Sequence, residues 1–93
     1  VNYNIDLTYY IDREDATTAT AIQKAVDVAV NEYVKWQQKK LGRNVDPSEL
    51  IYLLRAAGAR KIAVNEPTYT EVAKDEIASA KNIVINFGGW EDE

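Results

Sequence analysis

The sequence predicts an α+β domain in which strand, helix, helix, strand and strand follow one another along the chain. Segments at both ends alternate apolar and polar residues, which is typical of half-buried strands. Two segments between them carry apolar residues three and four positions apart, which indicates amphipathic helices. The chain has 93 residues, enough for one domain with a single core. We therefore predict a small three-stranded antiparallel sheet with both helices packed on one face.

The first strand occupies the start of the chain. Its apolar positions are Tyr3, Ile5, Leu7, Tyr9 and Ile11. The positions between them are polar except for Tyr10, which places one aromatic ring on the opposite face. Because the helices cover only one face of the predicted sheet, this second face is expected to meet solvent or a partner protein.

The first helix is predicted over residues 18–41, with Gly42 as the residue that ends it. Its apolar stripe consists of Ile22, Ala25, Val26, Ala29, Val30, Tyr33 and Trp36. Most residues on the opposite side are charged or amides, as expected for a helix that packs against a sheet. Val28 falls on this polar side, so we expect its side chain to be exposed.

The second helix is predicted over residues 47–57 and is specified at both ends. Asp46 is an N-cap, and Pro47 suits the first helical position because its missing N–H has no partner there. Gly58 supplies the left-handed residue that stops the helix. Tyr52 lies almost opposite the apolar stripe of this helix, so its ring is expected to face outward.

Two strands are predicted in the rest of the chain. The first is short, alternates around Ile62 and Val64, and ends at Pro67. The second alternates around Ile83, Ile85 and Phe87. It is expected to end at the glycines Gly88 and Gly89. Since each helix reverses the chain, the first and last strands should run in the same direction, and the second strand in the opposite direction.

The connection between these two strands, residues 68–81, has no regular pattern. We expect a turn near residues 74–76. Tyr69, Val72 and Ile77 are the apolar residues expected to point inward.

The composition argues against catalysis. Neither His nor Cys is present, so the commonest general base, thiolate nucleophiles and the usual zinc ligands are missing. Asp6 and Asp12 share one face of the first strand, and charges on such a face are normally solvated. The glycines at 88 and 89 are not followed by a helix, as a phosphate-binding loop requires. We therefore predict a protein that is not an enzyme and binds no metal or cofactor.

The charge pattern argues against nucleic acid as a partner. The formal net charge is −4, and three of the acidic residues form the tail at positions 91–93, so the body is close to neutral. Lys35, Lys39 and Arg43 follow at four-residue spacing and could form a phosphate-binding stripe. Cations near a helix C-terminus more often complement the helix dipole, and we favour that interpretation. The sequence offers no apolar run long enough to insert into a membrane.

Aromatic and aliphatic residues outside the predicted core are the candidate interface. These are Tyr10, Val28, Tyr52, Val84 and Trp90. Val84 shares the open sheet face with Tyr10, and Trp90 follows the two glycines. Exposed aromatics are enriched at the energetic centres of protein–protein interfaces, although single exposed rings are also ordinary. Two further aromatic residues, Tyr33 and Trp36, lie on the first helix and are expected in the core.

Five segments resemble the C-terminal end of the baseplate J family of contractile-tailed phages, closest to its members in P2-like phages and prophages. The segments are residues 33–37 (YVKWQ), 41–43 (LGR), 47–50 (PSEL), 56–60 (AAGAR) and 87–93 (FGGWEDE). They span nearly the whole chain in the family's order. Trp90 departs from the family pattern, which has a smaller aliphatic residue at that position.

The resemblance implies a non-enzymatic component of the baseplate wedge in the virion tail, assembled in the cytoplasm of the bacterial host. Its expected partners are other phage baseplate and tail proteins. Because the chain begins at Val1 and family members are longer, we expect residues 1–93 to be a single domain from the end of a larger protein, monomeric in isolation. The alternative from a different class is a small-ligand or nucleic-acid-binding α+β module of a cellular protein.

Overall fold

A computed structural model describes residues 1–91, so Asp92 and Glu93 of the predicted acidic tail lie outside the described residues. The elements are β1 (Asn2–Asp12), α1 (Ala19–Gln38), α2 (Pro47–Ala56), β2 (Lys61–Glu66) and β3 (Ser79–Glu91). Short 3₁₀ turns over Arg13–Thr18 lead from β1 into α1. The α+β class and the order of elements are those predicted from the sequence.

The sheet is mixed and not antiparallel as predicted. Its strand order is β2-β1-β3, with β2 antiparallel and β3 parallel to β1. The predicted strand directions are right, but an all-antiparallel sheet would need β2 in the centre. The connection at residues 67–78 instead carries the chain to the far side of β1, where Ser79 N–H donates to the carbonyl oxygen of Val1 at 2.8 Å.

The central position of β1 follows from its burial pattern. Every second residue from Tyr3 to Ile11 is buried, while the residues between them are partly exposed. The centre of a sheet covered on one face offers the largest apolar contact to a strand with one fully apolar side. The rest of the core comes from both helices and from the connecting segments of the chain. These residues are Val26, Ala29, Val30, Tyr33, Val45, Leu50, Leu54, Ala59, Val72 and Ala78.

Helix α1 buries four residues of the predicted stripe (Val26, Ala29, Val30 and Tyr33) and one polar residue that the apolar pattern does not reveal, while Ile22, Ala25 and Trp36 are partly buried. Tyr33 is fully buried, and its hydroxyl donates to the carbonyl oxygen of Asp46 at 3.1 Å. Gln37, one turn further, is also fully buried and donates to the carbonyl oxygens of Arg43 and Asn44 at 2.7 and 3.2 Å. These bonds fix the connection between the two helices, because they satisfy carbonyl groups that no helix or strand pairs.

Helix α2 begins and ends almost as predicted. The Asp46 carboxylate accepts a hydrogen bond from Ser48 N–H at 2.9 Å, which caps the first turn. Gly58 has φ of +113° and terminates the helix. Leu50 and Leu54 are buried beneath it.

The connection at residues 67–78 only partly follows its prediction. Its turn is at Lys74 and Asp75, and Val72 is buried. Tyr69 and Ile77 are exposed instead of pointing inward. The Tyr69 hydroxyl accepts a hydrogen bond from the Asn44 side chain at 2.9 Å, so its polar end is held at the surface.

Strand β3 does not end at the glycines; it continues through Trp90 to Glu91. The register with β1 shifts here, because Tyr9 pairs with Phe87 and Tyr10 pairs with Gly89. Gly88 is thus the extra residue of a β-bulge, and Gly89 has φ of +122°. Glycine pairs therefore mark a bulge in this strand and not a terminus.

Candidate interaction surfaces

Three surfaces carry apolar side chains that the core does not cover. We call them the helix groove, the open sheet face and the β3 flank. The helix groove lies between α1 and α2, on the side turned away from the sheet. The open sheet face is the side of the sheet without helices. The β3 flank is the part of β3 that faces the helix side of the sheet but is not covered by α1.

The helix groove encloses about 420 Å³ and is lined mainly by small and apolar residues. Its lining residues are Ala25, Val28, Ala29, Glu32, Leu53, Ala56 and Ala57. A second hollow of about 430 Å³ shares Glu32 and Leu53 with the first and extends the groove toward Lys35 and Lys39. Val28, one of the predicted interface residues, is therefore exposed in the wall of an apolar groove.

Tyr52 is the most exposed large hydrophobic residue of those described, with a relative accessible surface of 65%. It lies on α2, one position from Leu53, but does not line the groove. An exposed ring beside an apolar groove is the arrangement in which an aromatic side chain contributes most to a contact.

Arg43 does not join the two lysines in a basic stripe. Its guanidinium carbon lies 4.1 Å from the centre of the Trp36 ring, and its Nη1 donates to the carbonyl oxygen of the same residue. This stacking closes the C-terminal end of α1. Of the predicted phosphate-binding stripe, only Lys35 and Lys39 point into the groove region.

The open sheet face holds Tyr10 and Val84. The Tyr10 ring lies over β3, because a Cβ added at Gly88 would come within 2.5 Å of it. The Lys61 ammonium lies 5.3 Å from the centre of the same ring on the other side of β1. Val84 is exposed and pairs with Asp6 across the two strands.

Asparagine side chains surround these two residues. Asn86 donates to the carbonyl oxygen of Leu7 at 3.3 Å, and Asn82 donates to Asn4 at 3.4 Å. The open sheet face is thus a polar surface with two apolar residues in it.

The β3 flank carries Trp90, which sequence reasoning placed in a tail. Trp90 pairs with Ile11, and Phe87 pairs with Tyr9, so both lie on the helix side of the sheet. The Phe87 and Trp90 rings meet edge to face with centres 5.5 Å apart, and Phe87 is the same distance from Tyr9. Ile83 precedes them on the same side and is 44% exposed.

Ile83 and Phe87, the alternating residues of the last predicted strand, are surface residues that sequence reasoning missed, because it expected the helices to cover one face of the whole sheet. Their alternation correctly indicates a strand, but it does not tell whether that strand is central or at the edge. The available signal was the series of large apolar residues that continues along one face of β3 to Trp90, past the predicted end of the strand.

Acidic groups lie near the β3 flank and at the end of the open sheet face. Burial raises the pKa of the Tyr9 hydroxyl, and the nearby carboxylate of Asp27 raises it further. At the end of the sheet, Asp12 and Glu91 occupy paired positions on neighbouring strands. They alternate with Ile11 and Trp90, so these two carboxylates lie at the end of the open sheet face.

The five predicted interface residues do not converge on one site. Val28 and Tyr52 lie on the helix layer, Tyr10 and Val84 on the open sheet face, and Trp90 on the β3 flank. Within residues 1–91, no group of His, Cys, Asp and Glu side chains is arranged to hold a metal ion. None of the described helices combines the length and apolar character needed to span a bilayer.

Comparison with known proteins identifies the family. A search of curated proteins finds no match. A family model described as the Baseplate J-like protein C-terminal domain matches residues 3–86, which excludes only the start of the chain and the segment from Phe87 onward. The match confirms the resemblance drawn from the sequence segments. The chain therefore belongs to the family of Baseplate J-like protein C-terminal domains, and its role is a structural one in the phage tail baseplate.

Proposed function

We propose that this domain is a non-catalytic component of the wedge in a contractile phage tail baseplate. The observation that carries the proposal is the family match over residues 3–86. The surfaces of the domain agree with such a role, because a wedge protein must contact neighbours on several sides. Its helix groove, open sheet face and β3 flank expose apolar groups in different directions, and aromatic anchors dominate the energy of such contacts.

The partners in this proposal are other baseplate and tail proteins, and the location is the tail baseplate after assembly in the host cytoplasm. The domain acts as the terminal part of a longer chain. In isolation it remains monomeric, because its exposed apolar residues are distributed over three separate surfaces and do not form one large patch.

The direct test is to locate the full-length protein in an electron-microscopy map of the assembled tail. The proposal expects the domain in the wedge, repeated around the central hub. Density elsewhere in the virion, or a protein absent from the particle, would contradict it. Calorimetric titration with divalent cations, ATP and short DNA tests the ligand-binding alternative, and stoichiometric binding of any of them would favour that alternative.

The candidate interface residues are tested by substitution. Tyr52→Ser and Val28→Ser change exposed side chains, so the melting temperature of the isolated domain should stay nearly unchanged. Wedge assembly should be weakened by at least one of them. Tyr69→Ser is the matched control, because Tyr69 is similarly exposed but lies outside the three surfaces. If both variants assemble as the control does, the helix layer is not an interface.

A further inference from the structure

The two edges of the sheet differ in how they are protected against pairing with another strand. Strand β2 forms one edge; it has only six residues, carries a charge at each end, and is followed by Pro67. Short length, charge and proline are the features by which proteins protect exposed edges. Strand β3 forms the other edge with 13 residues and has no charged residue or proline between Lys81 and Glu91. Its bulge at Gly88 is also a feature that protects edges, but it leaves residues 83–87 in regular register.

The backbone of β3 offers hydrogen bonds that its own sheet does not use. Successive residues of a paired strand point their N–H and C=O groups alternately toward and away from the neighbour. Over residues 83–87, before the bulge at Gly88, the groups directed away from β1 form a regular ladder along the free edge. An extended segment laid there would lie about 4.8 Å from β3 and pair with this ladder.

The side chains of β3 indicate the pattern of such a segment. On the helix side, Ile83, Phe87 and Trp90 are each between 39% and 44% exposed. A neighbouring strand places its own side chains beside them, so apolar residues at alternate positions would remove this surface from water. On the open face, Asn82 and Asn86 favour polar residues at the positions between.

The charges indicate what lies at one end of the segment. Glu91 is paired with Asp12, and like charges at paired positions on adjacent strands are destabilising. A cation on a strand beside Glu91 would offset this repulsion.

We propose that the free edge of β3 accepts an extended segment of another baseplate protein as a fourth strand. The segment alternates apolar and polar residues, with the apolar ones on the helix side, and carries Lys or Arg beside Glu91. This inference rests on the proposed baseplate role for the source of the segment. The edge, the exposed side chains and the acidic end define its chemistry.

Synthetic peptides test the proposal on the isolated chain. Two probes alternate Val and Thr over the length of the stretch 83–91 and carry either Arg or Glu at one end. A third peptide has the sequence of the Arg probe and is N-methylated at alternate residues to remove hydrogen-bond donors. Fluorescence anisotropy should show binding of the Arg peptide, binding about fivefold weaker for the Glu peptide, and none for the N-methylated one. Hydrogen exchange should slow in β3 on binding.

Substitutions test whether the peptides bind at the β3 edge or bind the domain non-specifically. Ile83→Lys should abolish binding, while Ala63→Lys, the same charge at an exposed position on the β2 edge, should leave it unchanged. Glu91→Lys should reverse the preference between the Arg and Glu peptides. Equal loss with both lysine variants, an unchanged preference in Glu91→Lys, or no protection of β3 with any peptide would overturn the proposal.

Two further experiments, sedimentation and a map of the tail, can overturn the proposal. Sedimentation that shows a dimer dissociated by Ile83→Lys would make a second copy the occupant and overturn the proposal. A tail map with the domain in the wedge and the β3 edge facing solvent would overturn strand addition but not the baseplate role. If the protein is absent from the tail, the proposed baseplate role is contradicted. The peptide experiment would then still show whether the β3 edge pairs with an added strand.

Discussion

Gln37 and Tyr33 are the residues of α1 whose side chains hold the following segment of the chain by hydrogen bonds. Both donate hydrogen bonds to backbone carbonyls of residues 43–46 from fully buried positions. Their positions four residues apart place them on the same face of the helix. Sequence reasoning assigned Tyr33 to the core but did not assign Gln37 to either side of the helix, because a polar residue does not contribute to an apolar pattern.

Replacing Gln37 with Ala should lower the free energy of unfolding by about 1–3 kcal/mol, because two backbone carbonyls lose their donor in a buried environment. The measurement is urea unfolding followed by circular dichroism. Gln38→Ala is the matched control, since Gln38 is the exposed neighbour in the same helix. Equal stability of the two variants would show that the helix connection does not depend on the Gln37 amide.

The buried hydroxyl of Tyr3 leads us to expect a loss of stability at alkaline pH. Its hydroxyl is buried without a hydrogen-bond partner among residues 1–91, and burial raises its pKa from 10.0 to about 12. The protonated form is favoured in the folded state, so this stabilisation is complete below pH 10 and is lost as pH rises toward 12. Tyr3→Phe should be as stable as the parent or more stable at neutral pH.

The test compares unfolding of the parent and Tyr3→Phe between pH 9 and pH 12. Stability of the parent should fall more steeply over the upper part of this range. Tyr33 remains in both proteins; burial raises its pKa, and the neighbouring Tyr3 raises it further in the parent alone, so this coupling adds to the steeper fall of the parent. Parallel curves would show that Tyr3 is solvated in the folded protein.

Helix α2 shows what local sequence specifies at the scale of an element. Its cap, its proline and its terminal glycine are contiguous signals, so both boundaries were predicted to within a residue. Strand β3 shows the opposite case. Its alternation was visible in the sequence, but its edge position, its bulge at Gly88 and its extension to Glu91 depend on a partner strand more than 70 residues away.

Asp46→Ala should cost about 1 kcal/mol of stability through loss of the cap on α2. Gly58→Val should cost more, because φ is +113° and a Cβ would lie 3.1 Å from Cγ1 of Ile22. Thermal unfolding of the two variants and the parent measures both effects. A Gly58→Val protein that melts with the parent would contradict the helix boundary seen in the structure.

For the molecule as a whole, the sequence predicted class, element order and strand direction, but not which strand is central. Local periodicity reports one buried face per strand, and this is compatible with more than one strand order. The same limit applies to the candidate site. Val28 and Tyr52 were correctly placed on the surface from helical periodicity, whereas the exposure of Ile83 and Phe87 follows only from the strand order.

Hydrogen exchange tests the strand order. With β1 in the centre, the amides of Ile5, Leu7 and Tyr9 should be among the slowest to exchange, and those of β2 should exchange faster. The experiment is residue-resolved exchange on the native domain, with amides of α1 as the internal reference for global opening. Slowest exchange in β2 would instead indicate the antiparallel order that the sequence first suggested.

The parallel pairing of β1 with β3 also bears on when the domain can fold during synthesis. Asn2 pairs with Ser79 and Asp12 with Glu91, so the central strand obtains its second neighbour from residues that are synthesised more than 70 positions after it. Contacts this distant in sequence slow folding, because the intervening loop must close before they form. Until residues 79–91 emerge, one edge of the most apolar strand stays open, and the nascent chain depends on β2 and the two helices to shield it.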